Sequence, residues 1–403
     1  MGDSGMKIVF LAPFGIRPKG TVVARMVPLA AELQALGHRV TIVAPPYTNP
    51  EDSGRTEEIR GVRLRNIRLA PGGAALSAPV MAWRMYRAAR EEEPDLIHLF
   101  KPKGYGGLAA MLHLLTAPRS APLFLDTDDW EGRGGMNTLH DYSRAQRLLF
   151  AFQEEWLPPR SQGVTVASRE LEARIAAMGV APERLLYLPN CVDDQPPGNG
   201  ARVRARLGID GNAPVVLLYT RFFEFSQDDL HRVFAGLFRK VPGIRFLVVG
   251  KGRNREEELL AAAARAQGFA DSLHVAGWVE PDELPHWLAA GDVALYPFAD
   301  TLVNRAKCPA KLTELMRAGV PVVADRVGQI AEYVEDGISG ILCRPGTPDE
   351  MIAWTAELLA DPVRRRAVGA SGRERILSRF NWRDAAVRLD AFYDNLTRRR
   401  NLA

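Results

Sequence analysis

Two segments of the chain concentrate side chains able to do chemistry. In Leu125-Asp-Thr-Asp-Asp-Trp-Glu131, the carboxylates of Asp126, Asp128 and Asp129 fall within four residues at the end of an apolar run. Like charges that close repel, so burial or a cation must hold them. Held together, they could orient hydroxyls, accept a proton from an attacking hydroxyl, or ligate a divalent ion. A helix N-cap with solvated neighbours is the plainer alternative. The second segment runs from Asn304 to Ala324, where Pro309 and Gly319 frame a helix over about 309–318. The backbone around its start, Lys307, Cys308, Pro309 and Ala310, would present NH groups to an anion. Lys311 in the first turn suits a phosphate, and Glu314, three residues on and so on the same face, could accept from two ribose hydroxyls. An ordinary surface helix would satisfy the same spacing.

The elements that must position these groups alternate. Ile8 to Ala12 reads as a buried strand, followed by a loop, an amphipathic helix over about 21–36, and the strand in GHRVTIVAPP. This is a β-α-β crossover, which makes its strands parallel. Further strands are expected at Val62–Leu69, Leu96–Phe100, Leu123–Asp126 and Val164–Ala167. A Pro- and Gly-rich stretch, residues 194–200, interrupts the pattern. A second series then begins at Val215 and includes IRFLVVG, LHVAGWV, VALYPF and VPVVAD. The expected fold class is α/β, with two Rossmann-like doubly wound parallel sheets. The expected domains are 1–190, 191–380, and a C-terminal helix over 381–403 returning to the first.

Composition excludes other classes. With 403 residues, 47% hydrophobic and 25% charged, the chain suits two globular domains. Residues 1–190 carry 23 Lys and Arg against 20 Asp and Glu, and the remainder 29 against 28. That balance is too even for a nucleic-acid footprint. Cys191, Cys308 and Cys343 have no metal-ligand spacing and read as reduced thiols. No segment reaches the roughly 20 apolar residues of a span, so a cytoplasmic protein is expected. The run Trp83, Arg84, Met85, Tyr86, Arg87, Arg90 would let one helix rest peripherally on the anionic inner face of a membrane, or simply be a solvated helix with one buried stripe. The first strand is not followed by G-x-G-x-x-G, which argues against a nicotinamide dehydrogenase.

The segment 304–324, continued by RVGQIAEYVEDGISGILCRPG, resembles the donor-binding core of retaining GT-B glycosyltransferases, notably family four. Leu188-Pro-Asn-Cys-Val-Asp193 resembles that family's link before the second domain, and Gly277-Trp278-Val279 its turn near the base. The resemblance covers most of the chain. It implies a diphosphate-binding role for Arg221 in LLYTR, with Lys311 beside it, and a backbone approach to the nucleotide at Gly250 and Lys251. The loop Arg17-Pro-Lys19-Gly20-Thr21 resembles the family's glycine loop near donor phosphate and acceptor, and Gly104–Gly107, including Gly106, is a second such loop after Lys101. His98, inside DLIHLF, reads as structural or acceptor-side.

Three positions depart from the family. Ala306 stands where a glutamate is usual, and Ser226 where a lysine is usual. Asp128 occupies about the place of a histidine near the transferred sugar. Asp128 and Asp129 therefore join Arg221 and Lys311 as catalytic candidates, with Asp126, Lys101, Arg17, Lys19 and Thr21 on the acceptor side. The resemblance implies transfer of a sugar from a UDP- or GDP-sugar to a hydroxyl acceptor, which would be a glycan, a lipid-linked sugar or a small molecule. Retention is expected, although Asp128 as a base leaves inversion open. No metal site is assigned, and a divalent cation such as magnesium is compatible with the fold without being required by it. Two rivals remain: a non-catalytic nucleotide-sugar-binding scaffold, given Ala306, and a nucleotide-sugar epimerase of the same fold.

Overall fold

The structure is a computed structural model and describes residues 5–17, 20–72, 74–117 and 120–402. The chain divides into two compact units. One comprises residues 1–191, 306–308 and 382–403; the other comprises 192–305 and 309–381.

The first unit is built on eight strands: Lys7–Leu11 (β1), Arg39–Ala44 (β2), Thr56–Ile59 (β3), Val62–Asn66 (β4), Leu96–Phe100 (β5), Leu123–Thr127 (β6), Gly163–Val166 (β7) and Leu185–Tyr187 (β8). Their order is β3-β4-β2-β1-β5-β6-β7-β8. All neighbours are parallel except β3 and β4, which form an antiparallel edge. The central strands β5, β6 and β7 are buried along their whole length, which is why they read as unbroken apolar runs. The order reverses between β1 and β5, and that reversal opens a crevice at the strands' carboxyl ends.

The C-terminal helix Trp382–Leu402 belongs to this unit. Its Tyr393 is fully buried against Phe124, at 4.8 Å between ring centroids. Asp390 meets His38 at 2.9 Å, and Leu396 O accepts from Gln162 at 3.0 Å.

The second unit has six parallel strands: Val215–Tyr219 (β9), Arg245–Val249 (β10), Leu273–Gly277 (β11), Val293–Tyr296 (β12), Val322–Asp325 (β13) and Ile341–Cys343 (β14). Their order, β11-β10-β9-β12-β13-β14, reverses between β9 and β12. The helix Gln227–Lys240 packs with the helix Pro348–Ala360, whereas Ala310–Arg317 packs with Pro362–Arg379. Phe234 stacks on Phe246 at 4.5 Å in the core between helix and sheet.

Candidate functional site

At the carboxyl edge of the first sheet, a buried ion pair fixes the local frame. Arg25 lies in a π-helical turn, Val22–Met26, that precedes the α-helix Val27–Ala35. Such turns tend to mark places where a side chain is re-aimed. The Arg25 guanidinium grips Asp126 at the end of β6 with two bonds, 2.8 Å from Nε and 2.6 Å from Nη2. It also donates to Leu188 O and Asn190 Oδ1. Both members of the pair are essentially inaccessible, at 1% and 0% exposure. Burial opposes the Arg25 charge, yet Asp126 outweighs it and holds the pKa above its ordinary value. Asp126 further accepts from Thr165, whose hydroxyl neighbours His98. His98 bonds Tyr393, and burial pushes its pKa down to about 4, so it is neutral. Asp126 and His98 are therefore framework groups.

The remaining carboxylates of this edge surround two lysines. Lys101 follows β5 with a left-handed backbone, φ 59°, a conformation that costs about 1–3 kcal/mol in a non-glycine residue and persists where the surroundings impose it. Its ammonium contacts Asp128 at 3.1 Å, Asp129 and, at 3.3 Å, Glu131. Lys103 meets Glu131 at 2.9 Å, and Thr21 donates to Asp128 at 3.0 Å. Burial opposes the Lys101 charge, but the three acids raise its pKa well above the ordinary lysine range. Burial would likewise raise Glu131, yet Lys103 and Lys101 hold it at about 2. Glu154, on the helix Arg144–Arg160, accepts from Glu131 N at 3.1 Å and is fully buried. Burial and the neighbouring Glu131 push its pKa well up, so it is the protonated member of the group. The cations that hold the sequence-predicted carboxylates are thus Arg25 for Asp126 and Lys101 for Asp128 and Asp129, and among the described residues no group of three or more His, Cys, Asp or Glu is arranged to hold a metal.

In the second unit the candidates converge where the strand order reverses. A recess there is lined by Tyr219 and Thr220 after β9, by Tyr296, Pro297 and Phe298 after β12, and by Lys311. The helix behind it spans Ala310–Arg317, with Pro309 as its N-cap. Lys311 Nζ lies over the Tyr219 ring, 4.4 Å from the centroid. Burial raises the Tyr219 pKa well above its ordinary value, reinforced by Glu314 and a hydrogen bond with it. Tyr219 thereby spaces Lys311 and Glu314 on one helical face. Arg221 is exposed at the lip, between Thr220 and Phe222. Thr220 Oγ1 accepts from Phe222 N at 2.8 Å and helps hold Phe222 at φ 67°.

Gly250 follows β10 at φ 122°, and a Cβ there would stand 1.9 Å from Thr220 O. The glycine thus serves close packing of the two strand-end loops. Gly250 N also donates to Gly277 O at 2.8 Å, joining the turns after β10 and β11. Lys251 and Trp278 are exposed and Val279 is half-buried.

The other candidates are distributed unevenly. Arg17 pairs with Asp52 at 2.6 Å, Gly20 is half-buried, and Lys19 lies outside the described residues. Gly106 packs close to Ala12 O, where a Cβ would stand at 3.2 Å. Lys307 and Cys308 group with the first unit, while Pro309, Ala310, Lys311 and Glu314 group with the second. Asn190 Nδ2 donates to Cys308 O at 2.8 Å, and Ser168 Oγ to Ala306 O at 2.7 Å. Sequence reasoning missed Arg25, Lys103, Glu154 and Tyr219. A lone arginine amid TVVARMVPLA and a second lysine two residues after Lys101 were the available signals.

Comparison with known proteins adds the following. Residues 20–191 match the glycosyl transferase 4-like domain, and residues 213–361 match the glycosyl transferases group 1 family. The chain is 28% identical over 361 residues to a GDP-mannose-dependent alpha-(1-6)-phosphatidylinositol monomannoside mannosyltransferase of Mycolicibacterium smegmatis, covering 87% of this chain and 89% of that one. It is 32% identical over 235 residues to a D-inositol 3-phosphate glycosyltransferase of Segniliparus rotundus, spanning 57% of this chain and about half, 51%, of that protein. Sucrose-phosphate synthase from Thermosynechococcus elongatus shares the fold, with a TM-score of 0.78 at 20% identity over 97% of this chain and 99% of that one.

Proposed function

The chain belongs to the GT-B glycosyltransferases of the family-four type, and from that premise we propose that it moves a hexosyl group from a GDP- or UDP-sugar to a hydroxyl acceptor with retention. The observation that carries this reading is the grouping of Arg221, Lys311 and Glu314 around Tyr219 at the end of β9. A cation after β9 and another in the first turn of a helix suit a diphosphate, and a carboxylate one turn on suits a ribose diol. Charge that builds on the departing diphosphate would be met by Arg221 and Lys311, which act more strongly as the charge develops. Asp128, Asp129 and Thr21 form the acceptor side, where the carboxylates held by Lys101 orient hydroxyls. GDP is the first base to test, because the relative matched along most of its length is GDP-mannose-dependent by name.

Thermal shift against GDP, UDP, ADP and TDP, each with and without magnesium, tests the donor site, since binding to the folded chain raises its melting temperature. Stabilisation by one nucleotide, lost in Arg221→Ala and Glu314→Ala, is the expected outcome; no shift with any nucleotide overturns the reading. Proton NMR of the newly formed linkage then separates retention from inversion, and release of a free epimerised sugar nucleotide would favour the epimerase.

A separate observation supports a peripheral membrane location. On the helix Ala74–Glu91, Trp83 is 53% exposed and Arg87 and Arg90 are exposed, while Leu115 on the adjoining helix Gly104–Thr116 is 69% exposed. This mixture of aromatic, aliphatic and cationic side chains suits an anionic lipid surface. Among the described residues no helix is long and apolar enough to cross a membrane. Co-sedimentation with phosphatidylglycerol vesicles, absent with phosphatidylcholine and weakened in Trp83→Ala, is the expected result.

A further inference from the structure

The second unit holds another pocket at the carboxyl edge of its sheet, walled by the helices Gln227–Lys240 and Pro348–Ala360 and separate from the Lys311 helix. Its volume is about 210 Å³. That is below the roughly 300 Å³ at which pockets for drug-sized ligands begin, and too small for a nucleotide. The walls are largely apolar and include Phe225, Leu230, Phe298, Pro348 and Met351. The one deeply buried ionisable group among the lining residues is Asp325 at the end of β13, 7% exposed. One of its oxygens accepts from Phe298 N at 2.8 Å.

Every charged residue lining the pocket is an acid: Asp325, Asp229 on the first helix and Asp300 after β12. Glu350 on the second helix and Cys343 on β14 add further titratable groups beside Asp325. Arg305 pairs with the lining acid Asp300, Arg344 with Glu350 and Arg232 with Asp349, and among the described residues no cation pairs with Asp325. A carboxylate buried among apolar walls with no bonded cation is costly unless one joins it. A neutral hydroxyl would leave that charge uncompensated. An ammonium on a short hydrocarbon would answer both features, its charge facing Asp325 and its carbon skeleton covered by the walls.

We propose that this pocket binds the ammonium group of a small organic amine, with Asp325 as its counter-ion. The pocket shares Phe225, Pro297 and Phe298 with the recess beneath Lys311, so its occupant would press on a wall of the proposed donor site. The inference concerns the second unit alone and does not rest on the identity of the sugar donor.

Benzylamine and its neutral counterpart benzyl alcohol are suitable probes, titrated by ligand-observed NMR in amine-free buffer. At pH 8 benzylamine is expected to bind at least about tenfold more tightly than the alcohol, in line with a charge-assisted contact. Burial, with the like charges nearby, raises Asp325 to about 7 against only one opposing backbone bond. Between pH 8 and pH 6 Asp325 therefore goes from mostly ionised to mostly protonated, and benzylamine affinity should fall about tenfold while that of the alcohol stays flat. Asp325→Asn keeps the acceptor for Phe298 N and should erase the preference for the amine. Equal binding of the two probes, no binding of either, or a preference that survives in Asp325→Asn would each overturn the proposal. The pH series on the unmodified chain decides the matter even where Asp325→Asn does not fold.

Discussion

The carboxyl edges of the two sheets carry charge in opposite ways. In the first unit, Arg25, Lys101 and Lys103 are sunk below the surface and each is bonded to carboxylates of the same unit. In the second, Arg221 stands exposed and Lys311 rests half-buried on the face of Tyr219. A buried charge whose partners are all internal is a fixture: its energy is committed to holding a shape, and it has little left to offer a ligand. An exposed cation costs the fold little and stays within reach of an incoming anion. The same residue types therefore divide into scaffolding in one unit and candidate donor contacts in the other, and the division rests on burial.

Removing one partner of the buried pair is the strongest way to break this contrast. Arg25→Met leaves Asp126 charged and without its two guanidinium bonds, and should destabilise the first unit by about 3–5 kcal/mol in urea unfolding. Arg25→Met combined with Asp126→Leu should recover much of that loss, because neither charge is then stranded. Arg221→Ala, by contrast, should change stability by no more than about 0.5 kcal/mol. A small effect at Arg25, or a large one at Arg221, would dissolve the distinction.

Next in size are the kinetic effects in the second unit. Charge-assisted contacts are worth about 1.5–3 kcal/mol, so Arg221→Ala and Lys311→Ala should each lower kcat/KM by roughly 10- to 150-fold with the melting temperature nearly unchanged. If both act on charge developing at the leaving diphosphate, the loss falls on kcat; if they only hold the ground state, it falls on KM. Tyr219→Phe sharpens the point. It keeps the ring under Lys311 and removes the hydroxyl that meets Glu314, so it should affect nucleotide affinity less than Lys311→Ala does.

How far the sequence could be read follows from the same contrast. The long central strands were legible because burial on both faces makes them continuous apolar runs, as in LIHLF and VVLLY. The strands β3, β8 and β14 were not: β8 and β14 are only three residues long, and TEEI of β3 carries two acids at an edge where they can face water. The helix around Lys311 and Glu314 was legible because proline, glycine and spacing along one helix are local facts. That burial or a cation must hold Asp126, Asp128 and Asp129 is a local inference, but that the cation is Arg25 for one and Lys101 for the others depends on contacts 101 and about 28 residues away in sequence. Glu154 gave no signal, because a glutamate in RAQRLLFAFQEEW looks like any solvated helix position until the fold buries it.

Glu154 and Glu131 offer the smallest and most discriminating test, since one environment drives them in opposite directions. Glu131 is held at about 2 in the folded chain, against an ordinary value of 4.5, so its contribution to stability is present above pH 4.5 and fades as the pH falls from there toward 2. Glu154 is raised above its ordinary value, so the folded chain keeps a proton that the unfolded chain has lost, and stability falls as the pH climbs above about 4.5. Glu154→Gln should remove that decline and stabilise the chain by about 1 kcal/mol at pH 8, with little change at pH 4.5. Glu131→Gln should destabilise at pH 8, where Lys101 and Lys103 lose a charged partner, and the difference should shrink at low pH. Unfolding curves between pH 4 and pH 8 read both signs. Parallel responses of the two variants would mean that the lysines serve both glutamates alike, and that Glu154 is a second charged partner of those lysines.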